Sequence, residues 1–114
     1  MGLLARPIKI LALTPKGAAL ARRLYQALPR AQCWLSQAQA REPGDLVFVS
    51  LSQAFKEAFA QGENLVCVMA TGIVVRSIAP FLKDKGTDPA VVVVDEAGQF
   101  AISLLSGHLG GAND

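Results

Sequence analysis

The chain is poor in the residues that most often announce chemistry: one histidine, two cysteines, one tryptophan and one tyrosine among 114 residues. Each shortage excludes something. Cys33 and Cys67 stand in separate apolar runs with no CxxC spacing, so they read as reduced core residues rather than as a disulfide or a metal pair. One histidine and two separated cysteines are too few soft ligands for a metal centre. Charge is also sparse, at 18% of residues and a net +2, with no run of like sign. The electrostatic footprint of a duplex-binding protein is therefore missing, and nucleic acid is not expected as a partner. No apolar run approaches the roughly 18–20 residues that a membrane-spanning helix requires. Too little hydrophobic length precedes Arg6 and Lys9 for a secretory signal, so a soluble protein with a cytoplasmic address, and no membrane partner, is expected.

What the chain does have is apolar substance, 52% of its residues, arranged in short blocks that one core can bury. Ile8 to Leu13 is a strand-length run closed by Thr14-Pro15-Lys16-Gly17, and Ala18 to Leu28 then carries helical spacing up to Pro29. Gln32 to Leu35 resembles a second strand, and the polar stretch from Ser36 to Asp45 is a connector containing Pro43-Gly44. Leu46 to Val49 is either a brief strand or an extended lead into a helix over Gln53 to Ala60, capped by Ser50 or Ser52 and ended by Gly62. Asn64 to Ala70 has the continuous apolar character of a parallel strand covered on both faces. Thr71-Gly72 breaks it, and Ile73 to Leu82 continues with helical spacing into a charged loop, Lys83 to Pro89. Ala90 to Asp95 is the strongest strand signal, and Glu96-Ala97-Gly98 turns it into a hairpin partner, Gln99 to Leu104. This alternation predicts a three-layer α/β domain of Rossmann or flavodoxin-like type: a mostly parallel sheet flanked by helices, with a C-terminal β-hairpin. Its functional loops are expected beyond the carboxyl ends of the strands.

Three clusters carry chemically useful groups. The first is Ser106-Gly107-His108-Leu109-Gly110-Gly111-Ala112-Asn113. Glycine there permits close backbone approach, and its N–H groups suit an anion or a developing oxyanion. It is neither a Walker A loop nor the GxGxxG fingerprint. On composition alone, a glycine-rich turn is more often only a turn. His108 has the titration range of a general acid or base, although a lone histidine is more often structural or merely exposed. The second cluster is Thr71-Gly72 with Arg76, whose guanidinium can grip a carboxylate bidentately or simply pair with a neighbouring Asp on the surface. The third is the loop holding Lys85 and Asp88, which a solvated surface explains, followed by Asp95 at the end of the valine strand. Asp95 is the better placed of these carboxylates, able to orient His108 or polarise a water.

Taken in order, Val68 to Arg76, Lys83 to Val91, Asp95-Glu96 and Leu104 to Asn113 resemble the N-terminal region of the CbiG-type cobalt-precorrin-5A hydrolases of anaerobic cobalamin biosynthesis. The likeness is strong over residues 46–114 and weaker over Ile8 to Leu28. It implies that residues 1–114 are a single N-terminal α/β domain, ending before the linking region and C-terminal domain of such enzymes. It further implies hydrolytic opening of the ring A δ-lactone of cobalt-precorrin-5A, with loss of acetaldehyde to give cobalt-precorrin-5B. Cobalt then belongs to the substrate, and no protein cofactor or metal site is implied. The partners implied are the tetrapyrrole and the remaining part of the same enzyme. As a mechanism, His108 or Asp95 would activate water while N–H groups near Gly110 and Gly111 meet the oxyanion. Thr71, Gly72, Arg76, Lys85, Asp88, Ser106, Gly107 and Asn113 would contact the macrocycle. Two rivals stand beside this: a non-catalytic tetrapyrrole-binding or interaction domain, and a nucleotide- or phosphate-binding α/β domain that the missing fingerprints disfavour.

Overall fold

The computed structural model describes residues 6–84 and 86–106, and the backbone but not the side chain of Ser106. Among the described residues there are ten elements, in the order expected from strand and helix alternation. β1 (Ile8–Ala12) and β4 (Asn64–Val68) are buried at every residue, which is why both read as unbroken apolar runs rather than alternating ones. β2 (Ala31–Ser36), β3 (Asp45–Phe48), β5 (Ala90–Val94) and β6 (Ala101–Ser106) complete one six-stranded sheet in the order β3-β2-β1-β4-β5-β6. β1 to β5 run parallel, and β6 returns antiparallel to β5 through a register shift between Val91 and Val92. The expected C-terminal hairpin is therefore present, and the ambiguous Leu46 to Val49 stretch is a strand on the sheet edge.

The helices begin where the local chemistry lets them. α1 (Pro15–Ala27) opens on Thr14, whose side-chain oxygen accepts the Gly17 N–H at 3.0 Å, with Pro15 in the first helical position. α2 (Leu51–Gln61) is capped by Ser50, which accepts the Gln53 N–H, and it stops at Gly62 in the left-handed conformation (φ 71°). α3 (Thr71–Ile78) starts two residues earlier than its apolar spacing suggests, then tightens at Pro80 into a 3-10 turn, Ala79–Phe81. Among the described residues no helix is long and apolar enough to cross a membrane.

Two cores sandwich the sheet. On one face α1 buries Ala18 and Ala21 against Ile8, Ile10, Cys33 and Val68. On the other, α2 and α3 bury Phe55, Ala58, Val74 and Ile78 against Leu11, Leu65, Cys67 and Val91. Cys33 and Cys67 are free thiols within these cores, as expected, and burial pushes both above the usual thiol range, Cys33 to about 11. The step from β2 to β3 uses residues 37–44 without a helix. A knot of charge holds it: Arg22 meets the Asp45 carboxylate at 2.9 Å and the Gln39 carbonyl at 2.8 Å, while the N–H groups of Arg41 and Glu42 reach the same carboxylate at 2.8 Å. The Arg22 guanidinium, its neighbour, holds the Asp45 carboxyl down to about 2.

Candidate functional site

The strand order reverses between β1 and β4. From β1 the chain works outward through β2 to β3, and from β4 it works the other way through β5 to β6. Loops leaving the carboxyl ends of β1 and β4 therefore diverge, and in open parallel sheets such a point leaves a crevice for a ligand. Three segments surround it here: Thr14 at the start of α1, Thr71-Gly72 at the start of α3, and Asp95-Glu96 at the end of β5.

Glycine lets these segments approach. A Cβ on Gly17 would lie 3.1 Å from the Val68 carbonyl and 3.1 Å from Thr14 Oγ1, so α1 seats directly on the end of β4 only because that position has no side chain. Thr14 then does two things at once. Its hydroxyl accepts the Gly17 N–H and donates to Glu96 Oε2, tying the β1 loop to the β5 loop over the end of β4. The hairpin turn is organised separately: Asp95 Oδ1 accepts the Phe100 N–H at 2.7 Å, and its carbonyl accepts the Gly98 N–H at 2.9 Å.

Beside the α3 start lies an open pocket of about 450 Å³. Its floor is apolar, made by Met69, Val93, Phe100 and Ile102, and its polar groups are Thr71, Asp95 and Glu96. Both charged groups of its wall are carboxylates. The nearest cation of the cluster, Arg76, is exposed one turn into α3, its guanidinium 4.0 Å from where a Cβ on Gly72 would stand. The first N–H groups of a helix have no intrahelical acceptor, and Ala70 at the cap position makes no side-chain hydrogen bond to them. The arrangement offers an apolar slot with two carboxylates in its wall and the first turn of α3 beside it.

Residues 53–114, more than half of the chain, match the family described as Cobalamin synthesis G N-terminal. The chain belongs to this family. It is 49% identical over 107 residues to the cobalt-precorrin-5A hydrolase of Salmonella typhimurium, covering 93% of this chain and 30% of that protein. To the cobalt-precorrin-5A hydrolase of Priestia megaterium it is 37% identical over 110 residues, covering 92% and 29%. The chain thus spans about three tenths of the length of these relatives. A crystal structure of a cobalamin biosynthesis protein G homologue from Sulfolobus solfataricus shares the fold, with a TM-score of 0.62 and 19% identity over 95% of this chain and 32% of that one.

Within this Cobalamin synthesis G N-terminal domain the residues expected to act together fall into three groups. Thr71 and Asp95 line the pocket at the carboxyl rim, and Gly72 and Arg76 follow in the first turns of α3 without lining it. Asp88 sits at the other rim, before β5. It is buried, and its two carboxylate oxygens accept the Lys83 N–H at 3.2 and 3.1 Å, so its charge closes the loop that precedes the strand. Ser106 is the last residue of β6 and pairs with Ala90, the first of β5, again at the amino rim. The described residues therefore do not bring Ser106 to the Thr71 turn. Lys85, Gly107, His108, Gly110, Gly111 and Asn113 lie outside the described residues. Two members of the crevice were not among the expected site residues: Thr14, read only as closing the first apolar run, and Glu96, read as a turn residue and as part of the Asp95-Glu96 motif. Their hydrogen bond joins positions 82 apart in the chain, and no local spacing announces it.

Proposed function

We propose that this domain takes part in cobalamin biosynthesis by the hydrolytic opening of the ring A δ-lactone of cobalt-precorrin-5A, within a protein like its longer relatives. The observation that carries the reading is the carboxyl-rim pocket, apolar below and flanked by carboxylates and the α3 start, in a chain 49% identical to part of a protein of that name. A lactone is uncharged and partly apolar, so it suits a pocket whose charged groups are both negative. The acetate and propionate arms of the macrocycle would be repelled there and are held instead by cations outside it, Arg76 among them.

In the proposed reaction a carboxylate takes a proton from water as the water oxygen bonds to the lactone carbonyl carbon. The N–H groups of Thr71 and Gly72 face the oxyanion. The ring C–O bond breaks, and the departing oxygen takes up a proton, leaving an acid and an alcohol. Loss of the alcohol proton then releases the two-carbon unit as acetaldehyde, the electron pair of the broken C–C bond remaining on the macrocycle, which is protonated. Of the groups first expected to activate water, Asp95 lines the pocket, and His108 lies outside the described residues.

The test is incubation of the full-length protein, and of residues 1–114 alone, with cobalt-precorrin-5A while acetaldehyde is trapped and counted. One acetaldehyde per substrate from the full-length protein is the expected result. A second reading, tetrapyrrole binding without chemistry, is favoured by the small share of the relatives that this chain spans. Tight corrinoid binding with no acetaldehyde would select it. A His108→Ala protein with unchanged turnover would remove the histidine from the scheme.

A further inference from the structure

We propose that Glu96 is the general base of the hydrolysis and that Thr14 is the residue that positions it. This inference rests on the hydrolytic reading above and names the working group of that same pocket.

Two carboxylates line the pocket, and their bonding separates them. Asp95 is committed to the hairpin through all three of its polar groups: its side chain accepts the Phe100 N–H at 2.7 Å, its own N–H donates to the Phe100 carbonyl at 3.2 Å, and its carbonyl accepts the Gly98 N–H at 2.9 Å. Asp95 keeps Oδ2 for other contacts, but Oδ1 is spent on the turn, so its short side chain stays with the hairpin. Glu96 follows it directly in the chain but is held by one hydroxyl from a distant element.

That hydroxyl has its direction set. Thr14 Oγ1 accepts the Gly17 N–H, so its single proton is left to point at Glu96, and the partner it calls for is an acceptor oxygen. A glutamate side chain has three rotatable bonds, and a base that wanders over them is poorly placed for most of the time. Fixing Oε2 leaves Oε1 with a defined range of positions at the pocket wall. A base oriented by a third group is the arrangement on which acyl-transfer sites commonly rely. Gly17 completes it, because any side chain there would press on both Thr14 Oγ1 and the Val68 carbonyl.

The alternative is that Thr14 and Glu96 merely clasp α1 to the hairpin. The turn has other support, however. A Cβ on Gly98 would lie 3.4 Å from Leu20 of α1, and the Asp95 bonds are independent of Glu96. Replacing Glu96 by its amide should therefore leave the turn in place.

The two roles are separated in the full-length protein by steady-state acetaldehyde release and by absorbance titration of the corrinoid. Glu96→Gln keeps an oxygen for Thr14 but cannot take a proton, so kcat is expected to fall by about a hundredfold or more with corrinoid affinity within about twofold of the parent. Thr14→Val is expected to lower kcat by about tenfold at a nearly unchanged KM, and Thr14→Ser to restore it to within about threefold. Glu96→Gln turning over at more than about a third of the parental rate would overturn the proposal. So would a loss of binding that matches the loss of rate, or Thr14→Ser as impaired as Thr14→Val. If the parent protein itself released no acetaldehyde, the hydrolytic reading would fall and take this one with it. A working parent with a working Glu96→Gln protein sinks this one alone.

Discussion

The two rims of the sheet use their polar groups in opposite ways. At the amino rim they are buried and consumed by the fold: Asn64 Oδ1 accepts the Ala90 N–H at 2.9 Å, the Asn64 N–H donates to the Pro7 carbonyl at 3.0 Å, and Asp88 closes the loop before β5. At the carboxyl rim, Thr71, Gly72 and Arg76 are exposed, and Asp95 and Glu96 are half-buried beside an open pocket. The contrast teaches where stability and function are kept apart. One edge is sealed by buried hydrogen bonds, whereas the other, although Asp95 and Thr14 also hold the fold there, leaves Thr71, Gly72 and Arg76 exposed beside an open pocket.

That division can be broken at its strongest point first. Asn64→Ala removes the acceptor for a buried N–H and leaves a small void, and should cost about 2–3 kcal/mol in urea unfolding. A loss below about 1 kcal/mol would show that the amino rim is less important to stability than its bonding suggests. A pair of glycines sharpens the comparison next. Gly17→Ala forces a methyl against the backbone of β4 and should cost about 1–2 kcal/mol, because a carbonyl of a fully buried central strand has nowhere to go. Gly72→Ala meets only the end of a flexible arginine and should gain about 0.5 kcal/mol, while slowing acetaldehyde release several-fold by crowding the donors at the start of α3. If the two substitutions gave the same change in melting temperature, the proposed distinction between packing glycine and site glycine would fail.

A further effect concerns acid. Asp45 titrates near 3.8 in an open chain and at about 2 beside Arg22, so its contribution is present above the higher value and disappears as pH falls through the lower one. The Asp45 side chain is covered but Arg22 is partly open to solvent, so the amount is about 1 kcal/mol. The unfolding midpoint should drop between about pH 4 and pH 2 in the parent by that much more than in Asp45→Asn. Equal slopes for the two proteins over this window would dismiss the Arg22 pairing as a stabilising contact.

How much of this could be read in advance depends on how local the cause is. The valine run of β5, the unbroken apolar run of β4 and the glycine stop of α2 are decided within a few residues, and the sequence shows them directly. β3 was open to two readings because it has only four residues on an edge, one of whose side chains, Val47, is nearly half exposed. The early start of α3 was hidden because Thr71-Gly72 looks like a break, whereas the first turn of a helix tolerates such residues when the chain arrives from a strand. Asp95 was found at the carboxyl rim from its place after β5, a rule of topology that sequence order already carries. What sequence order could not carry is a hydrogen bond between the first loop and the last hairpin, and so the Thr14 and Glu96 pair emerged only from three dimensions.

The walls of the crevice spring from β1 and β4, the two strands buried at every residue. A cleft rooted in the stiffest planks of a molecule has little room to reshape itself around a guest. Its amide protons should be among the last to trade with heavy water, even while the turns just beyond them exchange quickly. A ligand there is met by a mould that is already set, and adaptation is left to the rims of the cleft rather than to its foundations.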